Sequence, residues 1–167
     1  MSQNVCIIVP VHNVEQVLHH RMMNLIDVIS ELTDDFEIRI IDDSSIDGTY
    51  EIACQLAKEY PQVHAVRTSE QLGIAIAAES EMDTISASNI FVHDISQCFS
   101  LTKFMKLWRE SMVNASNGFS TERIDQVHLH HGLQFIRRPR VADQQNGDSN
   151  SHAQQTLSRL QQILQSS

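Results

Sequence analysis

Along this chain, short apolar runs alternate with longer stretches that are apolar on one side only. Val5 to Val9 is a nearly continuous run of Val and Ile, the pattern of a strand covered on both faces in a parallel sheet. Val14, Val17, Leu18, Leu25, Ile26, Ile29 and Leu32 then recur at steps of three and four, which predicts a helix from about Val14 to Leu32 with Asn13 as its N-cap. The pattern repeats. Glu37 to Asp42 reads as a second strand, Ser44 to Gly48 as a turn, and Thr49 to Tyr60 as a helix that Pro61 stops. Val63 to Arg67, Gly73 to about Met82, Asn89 to Asp94 and Leu101 to Met112 continue as strand, helix, strand and helix, the last with Phe104, Leu107 and Trp108 inward. Such alternation predicts an α/β three-layer sandwich with a mostly parallel sheet.

Beyond Asn114 the pattern weakens. A last strand is expected from Val127 to Phe135, and residues 1–141 are read as one domain. Residues 142–152 are polar without apolar anchors and read as a linker. Residues 153–167 read as an amphipathic helix with Leu157, Leu160, Ile163 and Leu164 on one side, a candidate surface for a homo-oligomer.

Composition narrows the classes. The net charge is -9, and Lys and Arg concentrate only at Arg137, Arg138 and Arg140, so no nucleic-acid partner is expected. The run after Val5 is broken by Pro10 and is too short for a signal sequence or a transmembrane segment, and a cytoplasmic location is expected. Cys6, Cys54 and Cys98 are odd in number and far apart, which suits reduced thiols. His128, His130 and His131, and likewise His19 and His20, are read as surface polar residues rather than a zinc site.

In an open parallel sheet a ligand sits outside the carboxyl ends of the strands. Those ends carry Pro10 to Asn13, Asp42 to Ser45, Thr68 to Gly73 and His93 to Ser96. Three carboxylates, Asp42, Asp43 and Asp94, are thereby expected on one edge, an arrangement that needs donors or a cation. The plain alternative for the aspartate pair is to cap the turn and pair with Arg39 or Lys58. Asp47, Gly48 and Thr49 read as a turn followed by a helix N-cap.

The order of these pieces resembles the family 2 glycosyltransferases. IIVPVHN looks like that family's first strand and loop, FEIRIIDDSSIDGTYEIA (Phe36 to Ala53) like its aspartate-pair segment, and QLGIAIAAES like its Gly-containing helix start. NIFVHDIS looks like the strand that ends in the metal-binding Asp-x-Asp. The resemblance implies a truncated GT-A fold, a UDP- or GDP-linked nucleotide sugar as ligand, and transfer of the sugar with inversion. It assigns Pro10, His12, Ile41, Asp43, Gly73 and Asp94 to the nucleotide-sugar pocket, and Asp94 also to a magnesium or manganese ion. This sequence departs from the family's pattern at three places: Ser96 replaces the second metal-motif aspartate, Val14 stands where an acid usually follows the Asn, and Ala78 stands at a basic position. Those departures motivate the alternative, an inactive relative that serves as an interaction or regulatory module.

Overall fold

The computed structural model describes residues 5–87, 89–97, 99–113 and 133–137, with side chains to residue 109. Among the described residues, five strands and four helices alternate: β1 (Val5–Val11), α1 (Glu15–Ser30), β2 (Phe36–Asp42), α2 (Thr49–Glu59), β3 (Val63–Arg67), α3 (Ile74–Ser80), β4 (Asn89–His93), α4 (Leu101–Val113) and β5 (Leu133–Arg137). A short 3₁₀ turn, Met82–Thr84, follows α3. The strands order as β3-β2-β1-β4-β5, with the first four parallel and β5 antiparallel to β4.

The sheet is covered on both faces, as the unbroken apolar run of β1 requires: all seven of its residues are buried. Alternation along the strands divides them between two cores. Val5, Ile7, Val9 and Val11 of β1, Ile38 and Ile40 of β2 and Phe91 of β4 pack under α1, α2 and α4. Cys6 and Ile8, Ile41, and Ile90 and Val92 face the other way, toward Ala75, Ala77 and Ala78 of α3. The small residues of α3 let that short helix lie close to the sheet. On the first face Phe91, Phe104 and Trp108 stack with ring centroids 5.2 to 5.9 Å apart.

Several boundaries shift from the sequence reading. Asn13 does not cap α1: Val14 holds that position and makes no side-chain cap bond, while Asn13 takes a left-handed conformation with φ 52°. The third helix is two turns long and gives way to the 3₁₀ turn where the sequence reading ran it to Met82. Of the strand expected from Val127 to Phe135, residues 127–132 lie outside the described residues, and the rest falls in β5, which lengthens the sheet beside β4. The linker at 142–152, the helix at 153–167, Cys98 and the histidines 128, 130 and 131 lie outside the described residues. Cys6 is buried and Cys54 half-buried, and neither forms a disulfide among the described residues. Among the described residues no helix is long and apolar enough to cross a membrane.

The aromatic cluster makes Phe104 a test of the first core. Phe104→Ala removes a fully buried ring that touches Phe91, Phe99 and Trp108. The expected loss is about 3 to 5 kcal/mol of unfolding free energy, measured by urea denaturation.

Candidate functional site

The strand order reverses direction at β1: the chain moves outward from β1 through β2 to β3, then crosses back to place β4 on the other side. The crevice of such a sheet opens at this reversal, beyond the carboxyl ends of β1 and β4. Pairing between β1 and β4 ends at Ile8 with Val92, whereas β1 continues beside β2 to Val11. Val11 carbonyl accepts the Asp43 N–H on the β2 side, so by alternation Pro10 turns toward β4. Its missing N–H therefore falls where β4 has no residue left to pair with it.

The turns after β1 and β2 are joined by six hydrogen bonds. His12 Nδ1 meets Asp43 O at 2.8 Å, Asn13 N–H donates to Ser45 Oγ at 2.9 Å, and Ile46 N–H donates to Asn13 Oδ1 at 2.9 Å. Val14 N–H donates to Thr49 Oγ1 at 2.8 Å, Glu15 N–H to Asp47 Oδ2 at 3.2 Å, and Gly48 N–H to Glu15 Oε2 at 2.6 Å. Each turn thus satisfies the other's backbone donors, including open N–H groups at the starts of α1 and α2. Gly48 allows the last of these, since a Cβ there would meet Glu15 Oε2 at 2.8 Å.

This lattice also sets the tautomer of His12. Asn13 Oδ1 is committed to Ile46, so its Nδ2 amine is the group 3.0 Å from His12 Nε2. Nε2 must then accept, and Nδ1 carries the proton that goes to Asp43 O. Gln71 Nε2, from the loop after β3, reaches the same His12 Nε2 at 3.2 Å.

The three carboxylates are buried, with 0%, 1% and 9% exposure for Asp42, Asp43 and Asp94. Burial of a charge needs compensation, and each receives it differently. Asp42 pairs with Arg67 at 3.2 Å, not with Arg39 or Lys58, because its side chain leaves β2 on the α2 face while Arg39 leaves on the other. Arg39 instead contacts Glu37 and Glu81, both at 3.5 Å. Arg67 also donates to the Ser45 carbonyl and lies 5.2 Å from the center of the Tyr50 ring. A hydrogen bond with the Cys54 side chain, with that group's charge and burial adding to it, raises the Tyr50 phenol above its ordinary range.

Asp43 faces α3 and is held by backbone amides. Leu72 N–H donates to Oδ1 at 2.7 Å, Gly73 N–H to Oδ2 at 2.8 Å, and the Thr68 hydroxyl to Oδ1 at 3.3 Å. Gly73 then adopts φ 90°, a conformation that strains any L side chain, as the chain leaves these two amides for α3. Ser44, also left-handed at φ 53°, donates its hydroxyl to Thr68 O at 2.9 Å and ties the same two loops together.

Asp94 accepts one bond, from Ser96 N–H to Oδ1 at 2.9 Å; its Oδ2 takes none among the described residues. Arg21 of α1 donates through Nη1 to the Ile95 carbonyl and, at 3.4 Å, to that of Gln97, so a cation braces the loop that carries Asp94 and Ser96. Between the first turns of α1 and this loop lies a cleft of about 340 Å³ lined by Asn13 to Val17, Arg21, Asp47 and Ser96. Among the described residues no three of His, Cys, Asp and Glu gather to hold a metal ion. Asp94 can offer a hard cation a single carboxylate, so other oxygens would have to complete a shell of six.

Of the other pocket candidates, Pro10 is buried at the end of β1 and Ile41 is fully buried against α3. Ala78 is fully buried in the same core, so α3 has no room for a cation at that position. Sequence reasoning missed Glu15, Arg21 and Arg67. Glu15 had a signal, since the acid expected directly after Asn13 stands one residue later. Arg21 and Arg67 had none, because their partners lie 74 and 22 residues away.

Comparison with known proteins fits this geometry. Residues 6–82 match the family described as Glycosyl transferase family 2. "Uncharacterized glycosyltransferase YkcC" from Bacillus subtilis (strain 168) is 31% identical over 88 residues, 53% of this chain and 27% of that protein. Among solved structures, "Mannosyltransferase PcManGT from Pyrobaculum calidifontis in complex with GDP-Man and Mn2+" matches with a TM-score of 0.54 at 20% identity, over 71% of this chain and 34% of that one. The chain therefore spans about a quarter to a third of the length of these two proteins. Its architecture is that of a GT-A fold. Residues 6–82 are thus similar to family 2 of the glycosyltransferases.

Asp47 supplies a pH test of the joined turns. Burial by itself would raise its carboxyl, but hydrogen bonds from the Thr49 hydroxyl and from the Glu15 and Thr49 N–H groups together hold it below the ordinary value of 3.8. A depressed carboxyl stabilizes the fold above that ordinary value and loses the contribution as pH falls through its lowered one. Asp47→Ala is expected to cost about 1 kcal/mol at neutral pH. In urea unfolding at a series of pH values, the gap between variant and parent should close below pH 3.8.

Proposed function

We propose that this chain is the donor-binding half of an inverting family 2 glycosyltransferase, holding a UDP- or GDP-linked sugar in the crevice beyond β1 and β4. The observation that carries the reading is the Asp43 clamp. A buried carboxylate held in place by Leu72, Gly73 and Thr68 retains acceptor capacity, since each oxygen has two lone pairs and Oδ2 uses one. An acceptor of that kind reads the ring N–H of uracil or guanine. His12, with Nε2 fixed as an acceptor, and Pro10 would line the same end, and Gly73 and Ile41 would shape its floor. Asp94 would lie at the diphosphate end, where magnesium or manganese would need donor oxygens beyond the single carboxylate. PcManGT, with its GDP-Man and Mn2+, supports the nucleotide sugar and the cation as expectations for this chain.

In transfer with inversion, an acceptor hydroxyl loses its proton to a base and attacks the anomeric carbon from the face opposite the departing nucleoside diphosphate. None of the described crevice residues is assigned the role of base. A second reading, an inactive interaction module, is favored by one specific observation: both cationic and metal-ligating positions of the diphosphate end are filled by small neutral residues, Ala78 and Ser96.

Calorimetric titration of the chain with UDP, GDP and their sugars, with and without manganese, tests the first reading. Binding of at least one is expected, and Asp43→Asn should weaken it at least about tenfold, a loss near 1.4 kcal/mol. Failure of every nucleotide to bind would remove the donor site. Donor hydrolysis that disappears in Asp94→Asn would exclude the inactive module.

A further inference from the structure

We infer that Arg21 is a phosphate-binding residue, supplying from α1 the positive charge that α3 lacks. The inference rests on the donor-site reading above. Arg21 lines the 340 Å³ cleft together with Ser96, Asn13 and Gln16. Its Nη1 is spent on the carbonyls of Ile95 and Gln97, which fixes the guanidinium against the loop following Asp94. Its Nε and Nη2 make no hydrogen bond among the described residues. Those two atoms form the fork that grips two oxygens of a phosphate at once, and the plane of the fork is set before a ligand arrives.

The charge of the cleft decides which species enters. Arg21 contributes one positive charge, and Glu15 and Asp47 in the same lining contribute two negative ones. The dipole at the start of α1 adds roughly half a positive charge, which still leaves the cleft slightly negative. A diphosphate diester, with two negative charges, is therefore repelled when bare and is neutral toward the cleft when it carries a divalent cation. Arg21 and the cation then act on the same group from different sides, and Ser96 replaces a charged ligand with a hydroxyl that can donate to a phosphate oxygen. Ala78, sealed in the core of the opposite layer, cannot take part.

The test titrates pyrophosphate, uridine, guanosine, UDP and GDP in magnesium buffer into the full chain and into Arg21→Met and Arg21→Lys. Arg21→Met should lose at least about tenfold in affinity for pyrophosphate and for the nucleoside diphosphate that binds, with nucleoside affinity unchanged. Arg21→Lys, which keeps the charge but not the fork, should recover only part of the loss and shows whether the charge acts without the loop contacts. Equal affinity of parent and Arg21→Met for pyrophosphate and nucleoside diphosphate would overturn the inference, as would a loss that extends equally to the nucleoside. Pyrophosphate binding that depends on Arg21 without any nucleoside or nucleotide recognition would leave the phosphate site standing and remove the donor reading instead.

Discussion

Everything at the open edge of this sheet depends on the reciprocal hydrogen bonding between the turns after β1 and β2. Helix starts carry amide donors that must be met, and here α1 and α2 start side by side. Besides the local bond from Thr49 N–H to Asp47, Thr49 serves Val14, Asp47 serves Glu15, and Glu15 serves Gly48. The left-handed conformation of Asn13 belongs to this exchange, because it aims the amide side chain at both Ile46 and His12. The two turns therefore form one rigid piece, and the tautomer of His12 follows from it.

Upon that piece the sheet arranges its buried charges. Strand alternation sends Asp42 and Asp43 to opposite faces, so two adjacent carboxylates avoid each other and find separate partners. One finds a guanidinium, the other a pair of amides. Asp42 becomes structural, locked by Arg67 and Ser45, whereas Asp43 faces the crevice loop. The third carboxylate, Asp94, has fewer partners: among the described residues it accepts one bond, from Ser96 N–H. An acid that the protein leaves half satisfied at a crevice is where a ligand has the most to contribute.

The order of strands and helices was legible from the apolar pattern because burial on two faces leaves no polar positions in β1 and a clear stripe on α1 and α4. The aspartate pair and the Asp-Gly-Thr turn were legible because turn and cap chemistry is local. What was misread shares one cause. Asn13 looked like an N-cap, and the plain alternative for Asp42 was Arg39 or Lys58, because local sequence offers only near neighbors. The actual partners are Ser45 and Ile46 in the turn after β2 and Arg67 at the end of β3.

By itself, then, the sequence determined the layers and the identity of the residues delivered to the carboxyl edge. Periodicity and turn residues are properties of adjacent positions, and adjacent positions are what a sequence displays. Only the tertiary structure decided which acid is compensated by a cation, which by amides and which is left open, and that Arg21, rather than a residue of α3, stands beside the Asp94 loop. Those outcomes depend on distances between segments tens of residues apart, set by strand order and by the face on which each side chain leaves its strand.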